Sequence, residues 1–227
     1  AMAKIGMLNE GALHAALKLD YLGDGGEAEV PFAGFVADVV RDGVIYEIQT
    51  SSFSGLGRKM RQLAEAGPVV LVHPIAHRKT LVRLQDAETG EITSRRSPKR
   101  GALVHILREL VYLPDMLGHD NFAVEVVLTE EEEQQVYDSK ARRGRGGWRR
   151  QGRHLISVLE RLRINAPEDL WRFVSGDLPE PFTTKQLAQA MQQPQQLGQQ
   201  LAYCLRHLGA VEVCGKTGNA LNYRRVS

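Results

Sequence analysis

Apolar residues recur along this chain with two different periods, and the switch between them marks its elements. Leu13, Leu17 and Tyr21 stand four apart behind Asn9, a good N-cap, and predict a helix over 10–22 that the glycines of 23–26 end. Residues 27–33 and 35–40 predict two strands, the second rich in Val and Phe. Asp42-Gly43 is a two-residue hairpin signal that leads into a further strand over 44–50. A helix over 54–66 follows. The run from Pro68 to His73, apolar without alternation, reads as a strand buried on both faces. Residues 80–84 and 91–93 predict a second hairpin through Thr89-Gly90, followed by a helix over 102–112 and a strand over 122–128. Thr129 with Glu132 three positions on makes a capping box, which places the acidic run 130–133 in the first turn of another helix.

After residue 139 the grammar changes. The stretch from Lys140 to Arg153 holds seven basic residues, four glycines and no acid, and it predicts a mobile linker over 140–153. Its cations, among them Arg142, Arg143, Arg145, Arg149 and Arg150, suit phosphates, and Trp148 can stack on a base. Helices are then predicted over 154–164, 167–175, 185–191 and 194–207, and a hairpin over 211–214 and 220–226. Helix, turn, helix and two-stranded wing is the layout of a winged-helix domain. The expected organisation is a first module over 1–139, the linker, and a winged-helix module over 154–227.

Composition narrows the classes. No apolar run approaches the roughly 18 residues that span a bilayer. Cys204 and Cys214 form no CxxC pair and fit reduced thiols, so the chain reads as cytoplasmic, with no membrane partner. No GxSxG, Walker A or dinucleotide fingerprint is present, and no organic cofactor is expected. His73 and His77 lack a third ligand and read as structural or surface residues. Arg95, Arg96, Lys99 and Arg100 cluster in a predicted loop and suit phosphate contacts.

The chemical centre follows from register. If Asp42-Gly43 fills a two-residue type I′ turn, Arg41 faces Val44, Val40 faces Ile45, and Asp38 faces Glu47. Two carboxylates about 5 Å apart are destabilising unless a cation lies between them. Hard oxygen ligands suit Mg2+ or Mn2+. Gln49 shares the face of Ile45 and Glu47, while Val44, Tyr46 and Ile48 point the other way. A three-residue turn would instead put Asp38 opposite Tyr46.

The order helix, strand, Asp-bearing strand, Glu-x-Gln strand, helix, strand, centred on VADVVRDGVIYEIQTSS, resembles the PD-(D/E)XK nuclease superfamily over about residues 8–75. The resemblance implies an α/β fold of restriction endonuclease type, a mixed central sheet flanked by helices. It implies that Asp38, Glu47 and the carbonyl of Ile48 hold the metal, that Glu10 on the first helix completes the site, and that the product carries 5′-phosphate ends. Gln49 stands where the family most often has lysine. Its amide can orient water but cannot supply charge, so Lys59 or Gln62 on the following helix are candidates to reach the site. On the second module, Gln195, Gln196, Gln199 and Gln200 lie on the expected recognition helix, with Lys216, Arg224 and Arg225 on the wing. The expected function is metal-dependent DNA cleavage, by a homodimer if both strands are cut. The alternatives are a non-catalytic DNA-binding protein that keeps the fold, or a nuclease acting on RNA.

Overall fold

A computed structural model describes residues 11–84, 92–138 and 147–226. Helix α1 (Ala12–Leu22) leads into β1 (Glu27–Phe32), β2 (Phe35–Arg41) and β3 (Val44–Ile48), then α2 (Gly57–Ala66) and β4 (Val69–Leu84). Next come β5 (Ile92–Arg96), a 3-10 turn at Leu103–Ile106 running into α3 (Leu107–Leu110), and two long strands, β6 (Phe122–Tyr137) and β7 (Trp148–Ile164). One sheet orders them β1-β2-β3-β4-β6-β7, with β5 paired to β4. The β3–β4 and β4–β6 pairs are parallel and the others antiparallel, so this is a mixed α/β fold with a large mixed sheet flanked by helices.

Burial explains the centre of the sheet. Val69 to Val72 are all buried, as a parallel strand covered on both faces requires. Alternation sends Val69 and Leu71 to one face, with Met60 and Leu63 of α2. It sends Val70 and Val72 to the other, with Leu13, Leu17 and Tyr21 of α1. Each fully buried side chain of this size contributes about 1.5–3 kcal/mol. A polar clamp also fixes α1 on its face. The Tyr21 hydroxyl donates to Glu125 and accepts from Arg161 at 2.7 Å, and Arg163 donates to Glu125 at 2.8 Å.

The C-terminal part comprises a 3-10 segment at Pro167–Phe173, α4 (Thr184–Ala190), α5 (Gln195–His207) and a separate hairpin of β8 (Val211–Thr217) and β9 (Ala220–Arg225). Leu170, Leu187, Leu201 and Tyr223 join the same apolar cluster as Leu63 and Phe122, so these elements share the α2-side core. Gly198 lets α5 lie close on α4, since a Cβ there would come within 2.6 Å of the Thr184 carbonyl oxygen.

Several expectations are corrected. The acidic run 130–133 is not a helix start but the middle of β6. Thr129 is fully buried, and its hydroxyl donates to Glu131 rather than capping a helix. Cross-strand cations claim the carboxylates: Arg78 for Glu130, Arg153 for Glu131 and Lys79 for Glu133. Residues 154–164, expected as a helix, belong to β7, and so do residues 148–153 of the expected linker. The boundary drawn at 153 therefore falls inside a strand.

Bulges explain this misreading. Glu131 pairs Leu155 and Thr129 pairs Val158, so Ile156 is an extra residue and two inward positions stand three apart instead of two. A second shift leaves Leu159 unpaired. Both extra side chains point outward, Ile156 being 58% exposed and Leu159 39%. Bulged alternation thus imitates the spacing of a helix. Residues 102–112 form a 3-10 turn with one α turn in place of the expected helix. With 154–164 in a strand and 167–175 holding only a short 3-10 segment, the first long helix of a winged helix is not evident. Among the described residues no helix is long and apolar enough to cross a membrane.

Candidate active site

The hairpin that carries the candidate site has the expected register. Asp42 and Gly43 both take positive φ, 52° and 76°, as a type I′ turn demands. Arg41 pairs Val44, Val40 pairs Ile45 and Val39 pairs Tyr46, where the ladder stops. Ile45 enters the α2-side core and Tyr46 and Ile48 the α1-side core, so Glu47 and Gln49 follow Ile45 to the α2 side. At Asp38 the strand rolls: Ala37 packs into one core and Val39, two residues on, into the other. In place of a further backbone bond, the Asp38 carboxylate accepts a 2.8 Å hydrogen bond from the Ile48 N–H.

Glu47 is 5% exposed. Its Oε2 accepts from Lys59 Nζ of α2 at 2.6 Å. Lys59 also donates to the Val36 carbonyl at 3.4 Å and lies 5.9 Å from the Phe35 ring centre. The other oxygen, Oε1, is buried with no hydrogen-bond partner among the described residues. Burial pushes the Glu47 carboxyl above its ordinary range, and the Asp38 charge adds to this against the opposing pull of Lys59. Asp38 moves the other way. Burial again works against its charge, but hydrogen bonds from His14 and Ile48, with the charges of His14 and Lys59, hold it below the ordinary value. His14 Nε2 of α1 stands 3.3 Å from Asp38 Oδ2. The environment therefore pulls two neighbouring acids apart, a pattern concentrated at functional sites.

The strand end beyond Glu47 is held from several directions. Gln49 Nε2 donates to Ser51 Oγ at 2.9 Å and to the Ser52 carbonyl at 2.7 Å, so its amide nitrogen orders the following loop. Buried His73 lies edge-on to Phe53, with Nδ1 2.7 Å from the Gln49 carbonyl oxygen. Burial lowers its pKa, which keeps the ring neutral with Nδ1–H as donor. Glu109 accepts from the Phe53 N–H at 2.8 Å, and Arg153 donates to the Thr50 carbonyl at 3.0 Å while gripping Glu131 with two bonds.

Asp38, Glu47, Ile48, Gln49 and Lys59 thus meet at one strand end. Gln62 has a buried Oε1 without a partner among the described residues. Glu10, Arg142, Arg143 and Arg145 lie outside the described residues. Among the described residues no group of three His, Cys, Asp or Glu side chains could hold a metal; the carboxylates that come near one another here are those of Asp38 and Glu47. Their chemistry fits a hard divalent cation, and the idle Glu47 Oε1 is an oxygen with capacity for one. His14, Glu109 and Arg153 were missed. Only His14 left a sequence trace, standing one helical turn beyond Glu10.

Other expected contacts lie elsewhere. Trp148, Arg149 and Arg150 open β7. Gln195, Gln196 and Gln199 are exposed on α5, whereas Gln200 is half-buried. Lys216 is exposed on β8, Arg224 pairs with Glu212, and Arg225 covers Trp171 at 4.4 Å.

The family described as Domain of unknown function (DUF8091) matches residues 11–165, a span that ends just after β7. A protein of Treponema pallidum (strain Nichols), described as "Uncharacterized protein", is 31% identical over 225 residues, covering 97% of this chain and 87% of its own. No solved structure matches. The chain belongs to the DUF8091 family.

Proposed function

We propose that this DUF8091 protein is a metal-dependent nuclease of PD-(D/E)XK type that hydrolyses phosphodiester bonds in DNA. The observation that carries the reading is Glu47, buried at the end of β3 with Oε2 on Lys59 and Oε1 idle, beside an Asp38 kept ionised. Asp38, Glu47 and the Ile48 carbonyl would hold Mg2+ or Mn2+, with Glu10 as a further carboxylate. The ion supplies a lowered pKa for bound water and neutralises charge on the scissile phosphate. Lys59 supplies the positive charge absent from position 49, orienting Glu47 and offering Nζ to a phosphate oxygen. Gln49 shapes the loop through Ser51 and Ser52. His14 holds Asp38 in its charged form.

In this reading α4, α5 and the β8–β9 hairpin act as a shortened winged helix and position the chain on duplex DNA. The exposed glutamines of α5 face adenine edges and Lys216 a phosphate. Cutting both strands calls for two copies.

A second reading has its own support. Lys59 already neutralises Glu47, and the Gln49 amide nitrogen is committed to its loop, as in a DNA-binding protein that has lost catalysis. Incubation with linear, circular, single-stranded and branched DNA in Mg2+, Mn2+ or EDTA separates the two. Cleavage should need the metal and fall at least ~100-fold in Glu47→Ala, as loss of charge stabilisation at a reacting phosphate implies. Cleavage that survives in Glu47→Ala removes the site assignment. Titration calorimetry showing no Mn2+ uptake by the wild type favours the second reading.

A further inference from the structure

The long strands run well past the core. Beyond Ala76 the sheet continues as an arm of β5, β4, β6 and β7, and helix α1 covers its face only as far as Leu155. Register sorts the arm's side chains. Arg83 pairs Gln135, which pairs Arg150, and Tyr137 pairs Trp148, so these share one face. Arg95, opposite Leu81 on β5, joins it. Contacts agree with the register: the Arg83 guanidinium lies 4.6 Å over the Trp148 ring, and Tyr137 meets Trp148 edge-on at 5.7 Å.

This face is open. Tyr137 is 58% exposed, and Arg95 and Arg150 are exposed. Its acids are already claimed, Glu133 by Lys79 at 2.9 Å and Glu131 by Arg153, and Asp138 at the end of the arm is met by Arg149 at 3.4 Å. No described carboxylate stands within salt-bridge distance of Arg83, Arg95 or Arg150. Arg83 and Arg95, with Arg150 felt by Glu133 only through longer-range charge, therefore flank an exposed tyrosine and a tryptophan edge.

We propose that this face of the arm binds single-stranded nucleic acid, with a base stacked on Tyr137 against the Trp148 edge and backbone phosphates on Arg95 and Arg150. Flat rings between cations on an open sheet are the arrangement that unpaired bases reward, because each base offers a π-face and each nucleotide a phosphate. A duplex hides its base faces and would gain only from the arginines. The inference adds to the nuclease reading a single-stranded contact on the arm, apart from the duplex contact proposed for α5, and it rests on that reading only for its purpose, not for the binding.

The test is fluorescence anisotropy with labelled dT20 and with a duplex of the same length, in EDTA so that nothing is cut. Trp148 emission is followed in Trp171→Phe, which leaves Trp148 as the reporting indole. The expected result is that dT20 binds and quenches Trp148 emission, while duplex leaves that emission unchanged. Tyr137→Ala should lose about tenfold in affinity, the scale of one stacked base, and Tyr137→Phe should keep it. Arg95→Ala with Arg150→Ala should flatten the log–log salt slope by about 1.4. Equal binding of dT20 by wild type and Tyr137→Ala, or a Trp148 signal that dT20 leaves unchanged, overturns the proposal. Metal-dependent cleavage without dT20 binding would sink this inference and leave the nuclease reading standing. Binding that persists in Glu47→Ala without any cleavage by the wild type would do the reverse.

Discussion

Glu47 and Glu131 are both buried carboxylates on this sheet, and the structure treats them in opposite ways. Glu131, fully buried, has both oxygens occupied: Arg153 grips it at 2.8 and 2.9 Å and the Thr129 hydroxyl adds a bond of 2.7 Å. Glu47 has one oxygen on Lys59 and the other on nothing described, with burial raising its carboxyl. A carboxylate present for the fold saturates its acceptors, because an unmade buried hydrogen bond costs about 1–3 kcal/mol. Glu47 instead leaves one oxygen without a hydrogen bond among the described residues, next to a second carboxylate, and the proposed metal site rests on that contrast. The comparison, rather than the presence of acids on a strand, is what singles out Glu47 for test.

The largest effect should come from breaking the satisfied pair. Arg153→Ala leaves Glu131 charged and buried, and urea or thermal unfolding should show a loss of about 3–5 kcal/mol. Replacing both partners by apolar residues, Glu131→Leu with Arg153→Met, should recover most of that loss, since no lone charge then remains. A double variant as unstable as the single one would show that Arg153 matters chiefly through the Thr50 carbonyl, and the contrast with Glu47 would weaken.

A smaller change, opposite in sign, is expected at Glu47. A carboxyl raised in the folded state above its unfolded value lowers stability where both states are ionised. That penalty fades as pH falls through the folded value toward the ordinary one near 4.5. Glu47→Gln should therefore be as stable as wild type or more so near pH 7, with the gap closing in acid. Asp38, lowered in the fold, contributes stability above its ordinary value near 3.8 and loses it as pH falls further. Saturating Mn2+, at a hundred times its dissociation constant, should stabilise the wild type by about 2.7 kcal/mol and leave Glu47→Gln unmoved. Equal stabilisation of both proteins places the ion elsewhere.

How much of this was legible from sequence follows the range of the interactions. The β2–β3 hairpin could be placed to the residue because its turn is two adjacent residues whose φ requirement is local. Lys59 was within reach, being twelve positions from Glu47 on the next helix. The arm was not legible. The partners that make residues 130–133 strand lie 22 to 54 positions away, and two bulges gave β7 the apolar spacing of a helix. Local propensity lost to cross-strand charge pairing, and no signal short of pairing the strands would have exposed it.

The smallest expected effect tests the geometry beneath the comparison. Gly43 sits at φ 76° with open space where a Cβ would go, so Gly43→Ala meets no clash and carries only the backbone cost of the left-handed region, about 1–2 kcal/mol. If the turn does no more than join two strands, that cost appears in unfolding and cleavage is untouched. Register, however, is what sets Asp38 at the Ile48 N–H and beside Glu47. A turn forced toward three residues would slide Asp38 opposite Tyr46, onto the α1-side face. Gly43→Ala should therefore lower Mn2+ affinity along with stability, while Gly43→Asn, a residue that tolerates positive φ, keeps both. Loss of stability with metal binding intact would mean that the Asp38–Ile48 bond, not the turn, holds the two carboxylates together.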